Sequence, residues 1–155
     1  MRKSIVGSVM AVLATGSLAF YGPTAANAST FPGQLDPGDR LPSGRQIVSP
    51  NGVYVLQMQG DGNLVERAPG NIPINATSTD GHPGTIAVMQ ADGNFVLRAP
   101  GNIPIWSSRT DGHPGTVLQV QDDGAVDLYA PGHNILRVIF PPHEATVDNT
   151  SPIPR

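Results

Sequence analysis

Short apolar runs of four or five residues, each ended by a glycine- or proline-bearing turn, fill the chain from residue 46 to residue 140. The runs Tyr54-Val-Leu-Gln-Met58, Ile86-Ala-Val-Met89 and Val117-Leu-Gln-Val120 lead into Asp-Gly pairs at 61–62, 92–93 and 123–124. Asp-Gly suits a tight hairpin, because glycine accepts positive φ and aspartate tolerates it. The chain then leaves along Leu64-Val65, Phe95-Val96 and Val126-Asp127. A second turn at Ala68 to Pro73 recurs letter for letter at Ala99 to Pro104, and a third at Thr79 to Gly84 recurs at Thr110 to Gly115. The pattern thus predicts short strands joined by hairpins, an antiparallel all-β domain.

The whole unit repeats three times at a spacing of 31 residues. A period this short means one supersecondary unit built three times, with each sheet too small to bury a face alone, so the three must pack on a common axis. Gln46-Ile-Val-Ser49 is the expected opening strand, closed by the turn Pro50-Asn51-Gly52, and Ile135 to Phe140 either closes the third sheet or exchanges with a partner chain. Alternation along the strands separates two faces. Leu64, Phe95 and Val126, with Met58, Met89 and Val120, are the predicted core. Asn63, Val65 and Arg67, with Asn94, Val96 and Arg98, fall on the other parity, and Gln59 and Asp61 approach the same patch across the hairpin.

Composition supports this reading. The 16 prolines and 18 glycines are hard to reconcile with long helices. Residues 1–28 read as a signal peptide. Arg2 and Lys3 precede an apolar run from Ile5 to Phe20, and Ala26-Asn27-Ala28 gives a cleavage pattern before Ser29. The run is shorter than the roughly 20 residues a spanning helix needs, so a secreted chain is expected. The rest divides into a lead-in at 29–44, a domain at 45–140 and a proline-rich tail at 141–155. Without residues 1–28, seven arginines and no lysine face twelve acidic residues, a net charge of −5. No basic stripe exists to bind nucleic acid or an anionic membrane surface. There is no cysteine, so packing, hydrogen bonds or oligomerisation must hold the fold together.

The polar parity carries the candidate chemistry. Gln59, Asp61, Asn63, Val65 and Arg67 in the first unit match Gln90, Asp92, Asn94, Val96 and Arg98 in the second. The third retains Gln121, Asp123 and Tyr129 but has Ala125 and Asp127 in place of the amide and the valine. Amides both donate and accept, ionised Asp accepts strong charge-assisted bonds, and valine offers an apolar spot to ring carbons. Such a set suits gripping sugar hydroxyls. There is no Gly-x-Ser-x-Gly elbow, phosphate loop or cysteine nucleophile, and the four histidines do not converge by spacing, so neither an enzyme nor a metal or cofactor is expected. His82 and His113 read as turn residues, and Asn75-Ala-Thr77 matches a glycosylation sequon.

The motif Gln-x-Asp-x-Asn-x-Val-x-Tyr in triplicate, with flanks such as Pro104-Ile105-Trp106-Ser107-Ser108, resembles the bulb-type, or monocot, mannose-binding lectins over roughly residues 40 to 140. The resemblance implies a β-prism II fold, three four-stranded sheets about a pseudo-threefold axis with one shallow sugar pocket each. It also implies dimers built partly by C-terminal strand exchange, and a secreted bacterial-type module reading mannose-type glycans. Departures qualify it. Arg67 and Arg98 replace the family's tyrosine; arginine cannot accept from a hydroxyl, and its charge also favours an acidic sugar. The family's tryptophan survives only as Trp106, with Asn75 and Arg137 at the equivalent places. Because every pocket departs from the pattern, the alternative is a degenerate lectin scaffold used for protein interaction, in the manner of lectin-like bacteriocins.

Overall fold

The computed structural model describes residues 30–143. The expected signal peptide and most of the expected tail, beyond residue 143, lie outside the described residues. Thirteen strands form three sheets: β1 Thr30–Pro32, β2 Gln34–Leu35, β3 Arg40–Leu41, β4 Gln46–Val48, β5 Val55–Met58, β6 Leu64–Ala68, β7 Ile72–Ala76, β8 Ile86–Met89, β9 Phe95–Ala99, β10 Ile103–Ser107, β11 Val117–Val120, β12 Val126–Ala130 and β13 Asn134–Phe140. Each repeat supplies three consecutive antiparallel strands: β5-β6-β7, β8-β9-β10 and β11-β12-β13. β13 closes the third sheet by pairing with β12 of its own chain.

The fourth strand of each sheet comes from the N-terminal side. β4 pairs with β5, β3 with β8 and β2 with β11, all antiparallel. The polar–apolar pairs Gln34-Leu35, Arg40-Leu41 and Gln46-Ile47 stand six residues apart, so this segment visits the three sheets in turn and deposits a short strand on each. The stretch expected as a lead-in therefore contains two strands of the prism. Apart from Pro32, which ends β1, its prolines and glycines occupy the links, as where Gly38 N donates to Met89 O and Gly44 N to Met58 O, both at 2.7 Å. β1 adds to β4 in parallel, giving the first sheet a fifth strand beyond the four expected.

Inward residues from strands of all three sheets meet on the axis in threefold layers. Leu35, Leu41 and Ile47 form one, Leu56, Ala87 and Leu118 the next, and Met58, Met89 and Val120 another; Leu64, Phe95 and Val126 complete the apolar set. None exceeds 1% exposure. All six residues assigned to the core by alternation are in it. One further layer breaks the chemistry: Leu97 and Leu128 share it with Glu66, which is equally buried. Asn75, at the tryptophan's equivalent place, pairs across from Glu66 and donates from Nδ2 to Oε2 at 2.8 Å. That bond commits the nitrogen of the sequence's glycosylation sequon. Trp106 packs edge-on against Phe95, 6.2 Å between ring centres.

The third turns lock the Asp-Gly hairpins. His82 N donates to Asp61 O, His113 N to Asp92 O and His143 N to Asp123 O, each at 2.9 Å. Gly62 and Gly93 lie so close beneath the His82 and His113 carbonyls that a Cβ at either position would overlap them. The ring closes where Asn51, in the turn after β4, donates from its backbone N to Asp122 Oδ1 at 2.8 Å.

Candidate functional site

Each Asp-Gly hairpin presents the motif by the same local device. Asp61 Oδ1 accepts from Asn63 N and Asp92 Oδ1 from Asn94 N, both at 3.0 Å, and Asp123 Oδ1 accepts from Ala125 N at 2.9 Å. This side-chain turn orients the carboxylate and leaves Oδ2 facing outward as the open acceptor.

The asparagines are held just as firmly. Asn63 Oδ1 accepts from Thr77 Oγ1 at 3.3 Å and Thr79 N at 3.2 Å; Asn94 Oδ1 accepts from Ser108 Oγ at 3.0 Å and Thr110 N at 3.3 Å. The hydroxyls are themselves tied down: Thr79 Oγ1 donates to Gly62 O at 2.7 Å and Thr110 Oγ1 to Gly93 O at 2.6 Å. With the carbonyl oxygen doubly bonded, each asparagine is left with its NH₂ as a donor. The first two units therefore offer the same pair, one carboxylate acceptor beside one amide donor, which is what a vicinal diol requires. The supporting hydroxyls were missed in the sequence reading, although Thr77/Ser108 and Thr79/Thr110 repeat at the same 31-residue spacing.

Val65 and Val96 lie in the outward register of β6 and β9 but are nearly closed off, at 4% and 2% exposure. They are floor rather than rim. Arg67 and Arg98 reach across to the second turn, where Nη1 of each donates to a carbonyl at 3.1 Å, Asn71 O and Asn102 O respectively. In the second unit the guanidinium also joins the motif: with the Gln90 amide turned so that its oxygen faces the guanidinium, Oε1 accepts from Arg98 Nη2 at 2.6 Å and Nε2 donates to Asp92 Oδ1 at 3.2 Å. Arg98 thus takes over the task of a hydroxyl, fixing the glutamine. A shallow cleft adjoins it, lined by Arg40, Ile86, Val88, Gln90, Arg98 and Asn102.

The third unit is different in kind. Gln121 Nε2 donates to Asp127 Oδ2 at 2.6 Å and to Tyr129 Oη at 2.7 Å, so its polar side chains satisfy one another. Asp127 and Tyr129 are buried at 4% and 7% exposure, and His133 stacks on the Tyr129 ring at 4.3 Å. Burial and then the neighbouring Asp123 raise the Asp127 carboxyl, against the bonds from Gln121 and Tyr129; burial and then Asp127 raise the Tyr129 phenol. Where the second unit has Ser108 and Thr110, the third runs Ile139-Phe140-Pro141-Pro142, with no hydroxyl to hold an amide. The thirteen candidate residues thus lie on the three Asp-Gly hairpins and their strands, with the polar groups left open in the first two units and bonded to one another in the third.

Comparison with solved structures gives this geometry a context. A monomeric monocot mannose-binding lectin from Gastrodia elata superposes with a TM-score of 0.62 at 30% identity, over 68% of this chain and 94% of that one. The mannose-specific agglutinin of snowdrop, Galanthus nivalis, solved with methyl-α-D-mannoside, gives 0.59 at 38% identity over 63% and 89%. The Polygonatum cyrtonema lectin, solved with a monomannoside, gives 0.59 at 31% over 64% and 90%. The chain belongs to the monocot mannose-binding lectin family. No protein-family model and no curated protein sequence matches it. This lectin has the β-prism II fold of its relatives, and membership sets it among binding proteins rather than enzymes. Among the described residues no cluster of acidic, histidine or cysteine side chains could hold a metal ion.

Proposed function

We propose that this lectin is a secreted, bacterial-type, non-catalytic protein that recognises mannose-type glycans through its first and second faces. The observation that carries the reading is the matched pair Asp61–Asn63 and Asp92–Asn94. Both have one carboxylate oxygen and the amide carbonyl already satisfied, so an acceptor and a donor stay pre-oriented for neighbouring hydroxyls. Pre-orientation lowers the ordering cost of binding. The relatives solved with mannosides support the choice of sugar.

One exposed pocket of this size reaches roughly millimolar affinity, about −4 kcal/mol. Two pockets on one rigid body raise avidity by roughly 10² to 10⁴ where a glycan spans them, and exchange of β13 between two copies would double the count again. The third face, closed by its own side chains, is the surface on which a protein-interaction or bacteriocin-like role would rest. A glycan array probed with residues 29–155 tests the reading. Binding to mannose-terminated glycans is expected, and the double change Asp61→Asn with Asp92→Asn abolishes it. A wild-type protein that ignores every mannose-bearing glycan would sink the proposal, and a protein partner that free mannose fails to displace would favour the scaffold role.

A further inference from the structure

The two open faces share a motif but not a charge, and the difference comes from outside the repeat. On the three closing strands Gln34, Arg40 and Gln46 take equivalent positions, paired with Gln119, Val88 and Gln57. Only the second sheet receives a cation there. Val88 is in turn paired with Val96, and Ile86 with Arg98, so Arg40 and Arg98 lie on one outer surface, two strand spacings across and two residues along, about 12 Å between backbones. Both arginines line the two adjoining clefts that flank Arg98.

Neither is neutralised by a carboxylate among the described residues. Arg98 uses its guanidinium on two uncharged acceptors, Asn102 O and Gln90 Oε1. Asp92 Oδ1 holds Asn94 N and Gln90 Nε2, and Asp39 Oδ2 holds Asp36 N, so neither carboxylate is bonded to Arg40 or Arg98. Counting motif and outer-strand positions, the first face sets Arg67 against Asp61 and is neutral. The second sets Arg40 and Arg98 against Asp92, a charge of +1, and the third carries Asp123 and Asp127, a charge of −2.

We propose that the second face is a subsite for an acidic hexose, one bearing a carboxylate or phosphate, whose anion is read by Arg40 and Arg98. This rests on the carbohydrate-binding reading above and refines it: both faces take neutral mannosides, and the second prefers the acidic hexose. A guanidinium fork matches either anion with paired donors. The site is open and wet, so the gain over the neutral sugar is modest, about tenfold, and is screened by salt.

Titration calorimetry of the secreted-form chain with methyl α-D-mannoside, methyl α-D-mannuronide and mannose 6-phosphate tests this. At low ionic strength at least one acidic sugar is expected to bind about tenfold more tightly than the mannoside, with the advantage fading toward 1 M salt, where the screening length is about 3 Å. The mannuronide and the phosphate arms tell the two anions apart. Arg40→Gln removes the preference, Arg40→Lys keeps part of it, and Arg137→Gln on the third sheet leaves it untouched. Mannoside binding with no acidic preference, or a preference that survives in a folded Arg40→Gln protein, overturns the subsite while sparing the lectin reading. If none of the three sugars binds, both fall together.

Discussion

Replacing Glu66 by glutamine tests the least orthodox feature of the core. Glu66 occupies a layer whose other two members are Leu97 and Leu128, with Oε2 bonded to Asn75 and Oε1 buried without a partner. Burial, opposed by the Asn75 bond and reinforced by Asp123, raises its carboxyl from the ordinary 4.5 to about 7. Below pH 4.5 the group is protonated in both folded and unfolded chains and contributes no pH dependence. Between 4.5 and 7 the unfolded chain releases its proton while the folded one retains it, so stability falls as pH rises. Above 7 both are ionised and the full penalty stands. At 1.36 kcal/mol per unit the shift corresponds to about 3 kcal/mol. Glu66→Gln keeps the shape and removes the titration. Urea unfolding of both proteins from pH 4 to pH 8 should therefore show the variant gaining about 3 kcal/mol on the wild type across that window. A constant offset is immaterial. A difference that stays flat to within about 0.5 kcal/mol would refute the argument that Glu66 is buried against its charge.

Three further outcomes follow from the geometry. Gly93→Ala combines a positive φ of 95° with a clash against His113 O, whereas Gly112→Ala, at φ 87°, has open space. The first should cost about 3 kcal/mol or more and the second about 1, read from denaturation midpoints. Asp127→Val removes a buried carboxylate with an unpartnered Oδ1 and should stabilise the fold at neutral pH by about 1–2 kcal/mol. Because Ile139 to Pro142 provide no hydroxyl to hold an amide, adding Ala125→Asn to that change should not raise the number of mannose sites per chain measured by calorimetry. Ser108→Ala, which frees Phe95 N and removes one of the two bonds to Asn94 Oδ1, should weaken mannoside binding at the second face and lower stability by about 1–3 kcal/mol.

The sequence by itself determined the architecture. A 31-residue period, Asp-Gly turns and strict alternation leave one economical arrangement, three small antiparallel sheets that bury equivalent residues on a shared axis. Local chemistry sufficed because the same short-range rules apply three times and reinforce one another. The outward position of Asp61, Asn63, Asp92 and Asn94 was legible for the same reason, since parity along a strand is a local property.

Tertiary structure decided what no single repeat contains. The sheets are completed by Gln34-Leu35 and Arg40-Leu41, a six-residue rhythm too short and proline-broken to read as strands until a preformed edge is there to pair with. Alternation puts Glu66 on the inward parity of Leu64, but only the meeting of three layers on the axis makes a carboxyl there fully buried. The alternation had already given the side of the strand, but not that Gln121, Asp127 and Tyr129 of the third site bond one another. The charge of the second face likewise arises when β3 carries Arg40 to the same surface as Arg98. Register within a strand is a matter of neighbours along the chain, whereas these features depend on which distant edge each strand finds.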